Sequence, residues 1–163
     1  MLLKGSCHCK AVRFEVNSHT PYPFMRCYCS ICRKTAGGGG YAINIMGQAD
    51  SLKVIGKQYV KVYHAILGRT RENRPKRSTG RRHFCQRCAS CLWISDPAWP
   101  DLVHPFASAI DTPLPIPPER VHIMLDYAAG WCDIPKGKRE VCFARYPEES
   151  IAEWHERHEL YEK

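Results

Sequence analysis

The sequence predicts a mainly β protein of one domain that ends in a short helix. Three observations carry this. Short runs of alternating or β-branched residues recur along the chain, prolines crowd one late stretch, and apolar residues take extended helical spacing only near the end. At 163 residues the chain is long enough for one domain with a real core. Hydrophobic residues make up 44% and charged residues 25%, a composition that excludes a disordered chain.

The elements follow in order. Across residues 11–16, Ala11, Arg13 and Glu15 share one face and Val12, Phe14 and Val16 the other, the alternation of a half-buried strand. Residues 30–36 make two turns of helix, stopped by the four glycines 37–40, which read as a flexible turn; no Gly-Lys-Ser/Thr follows to make a phosphate loop. Strands are expected over 41–46, 52–55, 59–65, 91–95 and 121–125. Seven of the 12 prolines fall between Pro97 and Pro118; proline lacks the donor a ladder needs, so 112–118 is a surface loop. After Pro147, the residues Ile151, Trp154, His158 and Tyr161 approximate one apolar stripe of a terminal helix. The expected division is a β domain over 1–146 and a helical tail over 147–163.

Charge is unevenly placed. The chain carries a formal +8, and seven basic residues (Arg69, Arg71, Arg74, Lys76, Arg77, Arg81 and Arg82) lie between Arg69 and His83 against Glu72 alone. This stretch reads as an exposed basic loop. Nucleic acid is a less favoured partner for it, because no aromatic residue lies between Arg69 and His83 for stacking on bases. The tail from Glu148 holds six glutamates against Arg157 and Lys163. The opening Met-Leu-Leu-Lys-Gly-Ser-Cys has no apolar signal region, and no stretch approaches the roughly 18 apolar residues of a membrane span. The expectation is a cytoplasmic protein without a membrane. Thiols stay reduced there, so ten cysteines point to metal rather than to disulfides.

Eight of the ten fall in three clusters: Cys7 and Cys9; Cys27, Cys29 and Cys32; and Cys85 and Cys88 with Cys91 close behind. Zinc accepts four thiolates in a tetrahedron, and short pairs far apart in sequence commonly combine. Cys7, Cys9, Cys85 and Cys88 would make one closed site. Cys27, Cys29 and Cys32 supply three thiolates, leaving a position for water or a substrate thiol, the pattern of a reactive zinc. Cys91 or a nearby histidine is the alternative fourth ligand. Cys132 and Cys142 stand alone and have no assigned role. His8, His64, His83 and His104 are candidates to tune a site, though each alone is more often structural.

The motifs Gly5-Ser-Cys7-His-Cys9-Lys-Ala-Val12, Cys27-x-Cys29-x-x-Cys32-Arg-Lys-Thr-x-Gly37 and Phe84-Cys85-x-x-Cys88-x-Ser90-x-Leu92 together resemble the glutathione-dependent formaldehyde-activating enzyme family, which also includes centromere protein V. The resemblance runs from Gly5 to at least Leu92, with residues 107–111 and Trp131 also in register. It implies a β-tent fold with two zinc ions: a structural one on Cys7, Cys9, Cys85 and Cys88, and an exchangeable one on the catalytic Cys27, Cys29 and Cys32. It also implies glutathione as co-substrate, a small-molecule thiol that adds to formaldehyde in a reaction formally of the carbon–sulfur lyase type. Arg33 and Lys34 are candidates to meet a glutathione carboxylate, or else form a solvated helix face. Tyr28 stands where many members carry His. Ala89 replaces a usual Gly, which serves if its turn needs no positive φ. Seven thiolates and two zinc ions would bring the formal charge to about +5. The alternative reading is a non-enzymatic zinc-binding module whose basic loop contacts nucleic acid or an acidic partner; oligomeric state is left open.

Overall fold

The computed structural model describes residues 1–162; Lys163, last of the expected tail, lies outside them. The chain is mainly β, with twelve strands and two short α-helices among the described residues. In order these are β1 (Leu2–Ser6), β2 (Arg13–Asn17), β3 (Met25–Cys27), α1 (Ser30–Ala36), β4 (Ala42–Ile43), β5 (Gly47–Gln48), β6 (Lys53–Ile55), β7 (Val60–Arg69), β8 (Pro75–Cys85), β9 (Cys91–Ser95), β10 (Leu102–Pro105), β11 (Arg120–Ile123), β12 (Glu140–Cys142) and α2 (Ile151–Arg157).

The strands form three sheets, ordered β1-β2-β6, β5-β10-β9-β8-β7 and β12-β11-β3-β4. In β2 the predicted alternation holds: Phe14 and Val16 are buried and Arg13 is exposed. The sheets meet over Leu3, Phe14, Ile45, Leu92, Val103 and Phe106, all at most 2% exposed. Each such side chain contributes roughly 1.5–3 kcal/mol by leaving water. β11 runs parallel to both β3 and β12, which carries Cys27 to the end of a sheet.

The basic segment is a loop only around Arg71 and Arg74. It forms most of β8, the partner of β7 in a long hairpin, and near its end β8 also pairs with β9. The reason lies in solvation. From Pro75 to Arg77 the strand is exposed, so no apolar alternation marks it; nearer Cys85 it enters the sheet. The tail also differs in detail. α2 starts in a capping box of Ser150 and Glu153 and ends at Arg157, and the residues it buries are Trp154 and His155. Trp154 stacks on Phe24 with centroids 3.8 Å apart, whereas Tyr161 lies beyond the helix and is 39% exposed. Glycines 37–40 form the expected turn, with Gly40 at φ 89.

Ala89 sits at φ 59, so its turn does require the left-handed region. A side chain there costs about 1–2 kcal/mol, offset in part by the greater freedom glycine brings to the unfolded chain. Ala89→Gly is expected to stabilise the protein by about 1 kcal/mol, seen as a rise of roughly 2–4 °C in thermal unfolding. An unchanged or lower Tm would show that the turn bears no strain.

Candidate metal centres

The first centre joins two turns that are remote in sequence. After β1 the chain reverses: the Lys10 N–H donates to the Cys7 carbonyl, with Lys10 at φ 58, and the Val12 N–H points at Cys7 Sγ at 3.2 Å. After β8 a similar turn closes as the Ala89 N–H donates to the Cys85 carbonyl and the Cys85 N–H to the Ser90 carbonyl. Their thiols converge, with Cys7 Sγ 3.5 Å from Cys9 Sγ and Cys9 Sγ 3.8 Å from Cys85 Sγ. Sulfurs bound at about 2.3 Å to a tetrahedral zinc lie about 3.8 Å apart, so the four fit that ion. All four sulfurs, Cys88 included, fall within 4.8 Å of one another. The Ser90 hydroxyl, 3.2 Å from Cys88 Sγ, holds the Cys88 thiol down at about 5.

The second centre gathers Cys27 from the end of β3, Cys29 at the N-cap of α1 and Cys32 within that helix. Their sulfurs also lie within 4.8 Å of one another, and no other His, Cys, Asp or Glu atom among the described residues joins the group. The Cys32 N–H donates to Cys29 Sγ at 3.3 Å. The thiols cannot ionise independently. Hydrogen bonds from Cys27 and Cys32 hold the Cys29 thiol far below its usual range, while the hydrogen bonds to Cys29 and Cys32 push Cys27 up. Three sulfurs this close lose their protons together only around a cation, so the donor set suits a thiophilic metal.

Cys91 lies outside the three-sulfur group. Its thiol donates to the Thr35 carbonyl at 2.7 Å, and burial pushes its pKa up. The three thiols instead line a cavity of about 610 Å³, together with Arg82, Asn44, Asp96, His104 and Tyr146. The Arg82 guanidinium lies 3.7 Å from Cys32 Sγ, and Asn44 Oδ1 is buried with no partner. Burial lowers the His104 pKa to about 4, leaving that ring neutral near pH 7. Arg33 and Lys34 do not line this cavity. They face a second one of about 830 Å³, with Cys7, Lys10, Ser90 and Asp111.

Sequence reasoning missed a buried chain behind the second centre. The Tyr28 hydroxyl lies 2.9 Å from His122 Nδ1, His122 Nε2 lies 2.7 Å from Glu140 Oε2, and Arg120 reaches Glu140 Oε1 at 2.7 Å. Glu140 can only accept, so in the neutral ring Nε2 carries the hydrogen and Nδ1 accepts from Tyr28. The side chain of His122 is fully buried and that of Glu140 is 7% exposed. The one available signal was Tyr28 itself, out of pattern between two ligand cysteines.

Residues 2–126 match the family described as glutathione-dependent formaldehyde-activating enzyme. A Halomonas elongata protein that carries the provisional name glutathione-dependent formaldehyde-activating enzyme is 63% identical over 158 residues, which cover 96% of this chain and 96% of that protein. A crystal structure of a Rhodobacter sphaeroides protein aligns with 69% of this chain and 91% of its own, at 25% identity and a TM-score of 0.48.

Proposed function

The chain belongs to the glutathione-dependent formaldehyde-activating enzyme family, and we propose that it catalyses addition of a thiol such as glutathione to formaldehyde or another small carbonyl. The observation that carries this is the three-thiol group opening on a cavity with no fourth protein ligand among the described residues. A zinc ion held by Cys27, Cys29 and Cys32 would supply a coordination position that favours the substrate thiol as thiolate, the nucleophilic form. A second zinc on Cys7, Cys9, Cys85 and Cys88 would be structural.

In the addition a sulfur–carbon bond forms, the carbonyl double bond opens, and the thiol proton ends on the oxygen; the reverse is a carbon–sulfur lyase step. Arg82 places a positive charge beside the sulfurs, offsetting the negative charge that collects there. Asn44 Oδ1 offers an acceptor for the hydroxyl of the adduct. Arg33 and Lys34 meet a glutathione carboxylate only where the tripeptide reaches the second cavity. The protein works, in this reading, among the reduced thiols of the cytoplasm.

Cobalt substitution tests the reading, since cobalt(II) bound to thiolates has visible absorption. Millimolar glutathione is expected to change the spectrum of the wild-type protein but not that of Cys32→Ser. Cys91→Ser is expected to keep both metal equivalents and the full response to glutathione. An unaltered wild-type spectrum in glutathione, or loss of one metal from Cys91→Ser, overturns the open-site mechanism.

A further inference from the structure

We infer that the carbonyl partner taken at the three-cysteine cavity is an apolar aldehyde of several carbons in preference to formaldehyde. This rests on the thiol-addition reading and names its substrate class. The first argument is size. Formaldehyde has two heavy atoms, comparable to one water molecule with its share of about 30 Å³. The cavity measures about 610 Å³. A thiol seated at the sulfurs takes part of this space; formaldehyde adds only two heavy atoms to it and reaches little of the apolar wall.

The second argument is chemical. Away from the sulfurs the walls are chiefly Met25, Leu67, Ile94, Trp99, Ile123 and Met124. Apolar walls gain by covering an apolar tail. Apart from the three cysteines, Arg82 and Asp96 are the cavity's charged side chains among the described residues, with His104 neutral. Asp96 is also already engaged, accepting from the Thr79 hydroxyl at 2.9 Å and the Ala98 N–H at 3.0 Å. The polar groups at the thiol end suffice for an aldehyde head: Arg82 stands beside Cys32, and Asn44 Oδ1 lacks a donor.

The third argument concerns one wall. Met124 is held at φ 62, a left-handed conformation that penalises every residue with a side chain. Glycine would relieve it; the side chain that the strained position carries lines the cavity. An unbranched methionine adapts to ligands of different shape.

Straight-chain alcohols are unreactive stand-ins for the tail. Methanol, 1-butanol and 1-hexanol are titrated into the metal-loaded protein, reading the fluorescence of Trp99 as identified with Trp99→Phe. Affinity is expected to rise about fourfold per methylene, the ~0.8 kcal/mol of one buried CH₂. Leu67 is 57% exposed at the edge of the cavity, so Leu67→Glu should fold normally, and it should remove most of that rise. In parallel, glutathione adduct formation is timed with formaldehyde, butanal and hexanal; hexanal should show the highest kcat/KM, and Leu67→Glu should lower it for hexanal far more than for formaldehyde. Equal affinity for the three alcohols, or a rise untouched by Leu67→Glu, overturns the inference, as does acceleration of formaldehyde addition alone, which leaves the thiol-addition reading standing. No acceleration with any aldehyde removes both.

Discussion

Cys85→Ser is expected to leave a chain that does not reach its native state at neutral pH. Cys85 is fully buried, and its thiol belongs to a four-sulfur group that fastens the turn after β1 to the turn after β8. The contacts it makes possible are remote: Cys9 and Cys85 are 76 residues apart in sequence. In folding a structural zinc of this kind contributes on the order of 10–16 kcal/mol. The whole net stability of a domain is only about 5–15 kcal/mol. A serine hydroxyl does not ionise at neutral pH and cannot replace the thiolate, so the variant loses an amount comparable to everything that holds the fold. Strong chelators should act on the wild-type protein in the same way. The check is circular dichroism in the near ultraviolet together with metal content. Cys32→Ser is the contrast: its three cysteines lie within six residues of chain, so losing their ion releases little loop entropy, and α1 should persist with one metal equivalent gone. If Cys85→Ser keeps native spectra with a melting point lowered by only a few degrees, the first centre is not what clamps the fold.

The two cysteine groups were legible because ligand spacing is local. Cys27, Cys29 and Cys32 announce a common centre within one turn of chain, and Cys7/Cys9 and Cys85/Cys88 repeat as short pairs. Cys91–Ser95 and Ser30–Ala36 were legible for the same reason, since an apolar run and a glycine stop are both read from neighbours. What could not be read depends on partners across the fold. The basic residues of β8 gave no alternation because water surrounds the outer hairpin, yet Arg82 on that strand reaches Cys32. Nothing in the spacing of Asn44, Asp96 and His104 says that they line one cavity. Arg33 and Lys34 follow the reactive cluster directly, yet they line the other cavity, which spacing alone does not tell.

Glu140→Ala is expected to damage both stability and the second centre, although Glu140 touches no cysteine. Removing the carboxylate leaves His122 fully buried with one ring nitrogen unpaired and strips Arg120 of its partner. Leaving a buried donor unpaired in this way costs about 1–3 kcal/mol. The loss should also travel to the metal. His122 anchors the Tyr28 hydroxyl, and Tyr28 lies between Cys27 and Cys29, so a free Tyr28 loosens the backbone that aims both sulfurs. Outer partners of metal ligands are typically worth 10–100-fold in affinity. Competition with a chromophoric chelator should therefore show weaker binding at one centre of the two. Acid gives an independent readout. The hydrogen bond from His122, aided by Arg120, holds the Glu140 carboxyl below its ordinary value. A lowered carboxylate pKa adds stability that is complete above the unfolded value of about 4.3 and disappears as pH falls through the folded value. Glu140→Gln keeps the shape without the charge, so the stability gap between wild type and this variant should be widest near neutral pH and should close below about pH 4. Urea unfolding across that range measures the gap directly. A gap that stays constant with pH, alongside unchanged metal affinity in Glu140→Ala, would mean that the chain from Tyr28 to Glu140 supports neither the sheet nor the sulfurs.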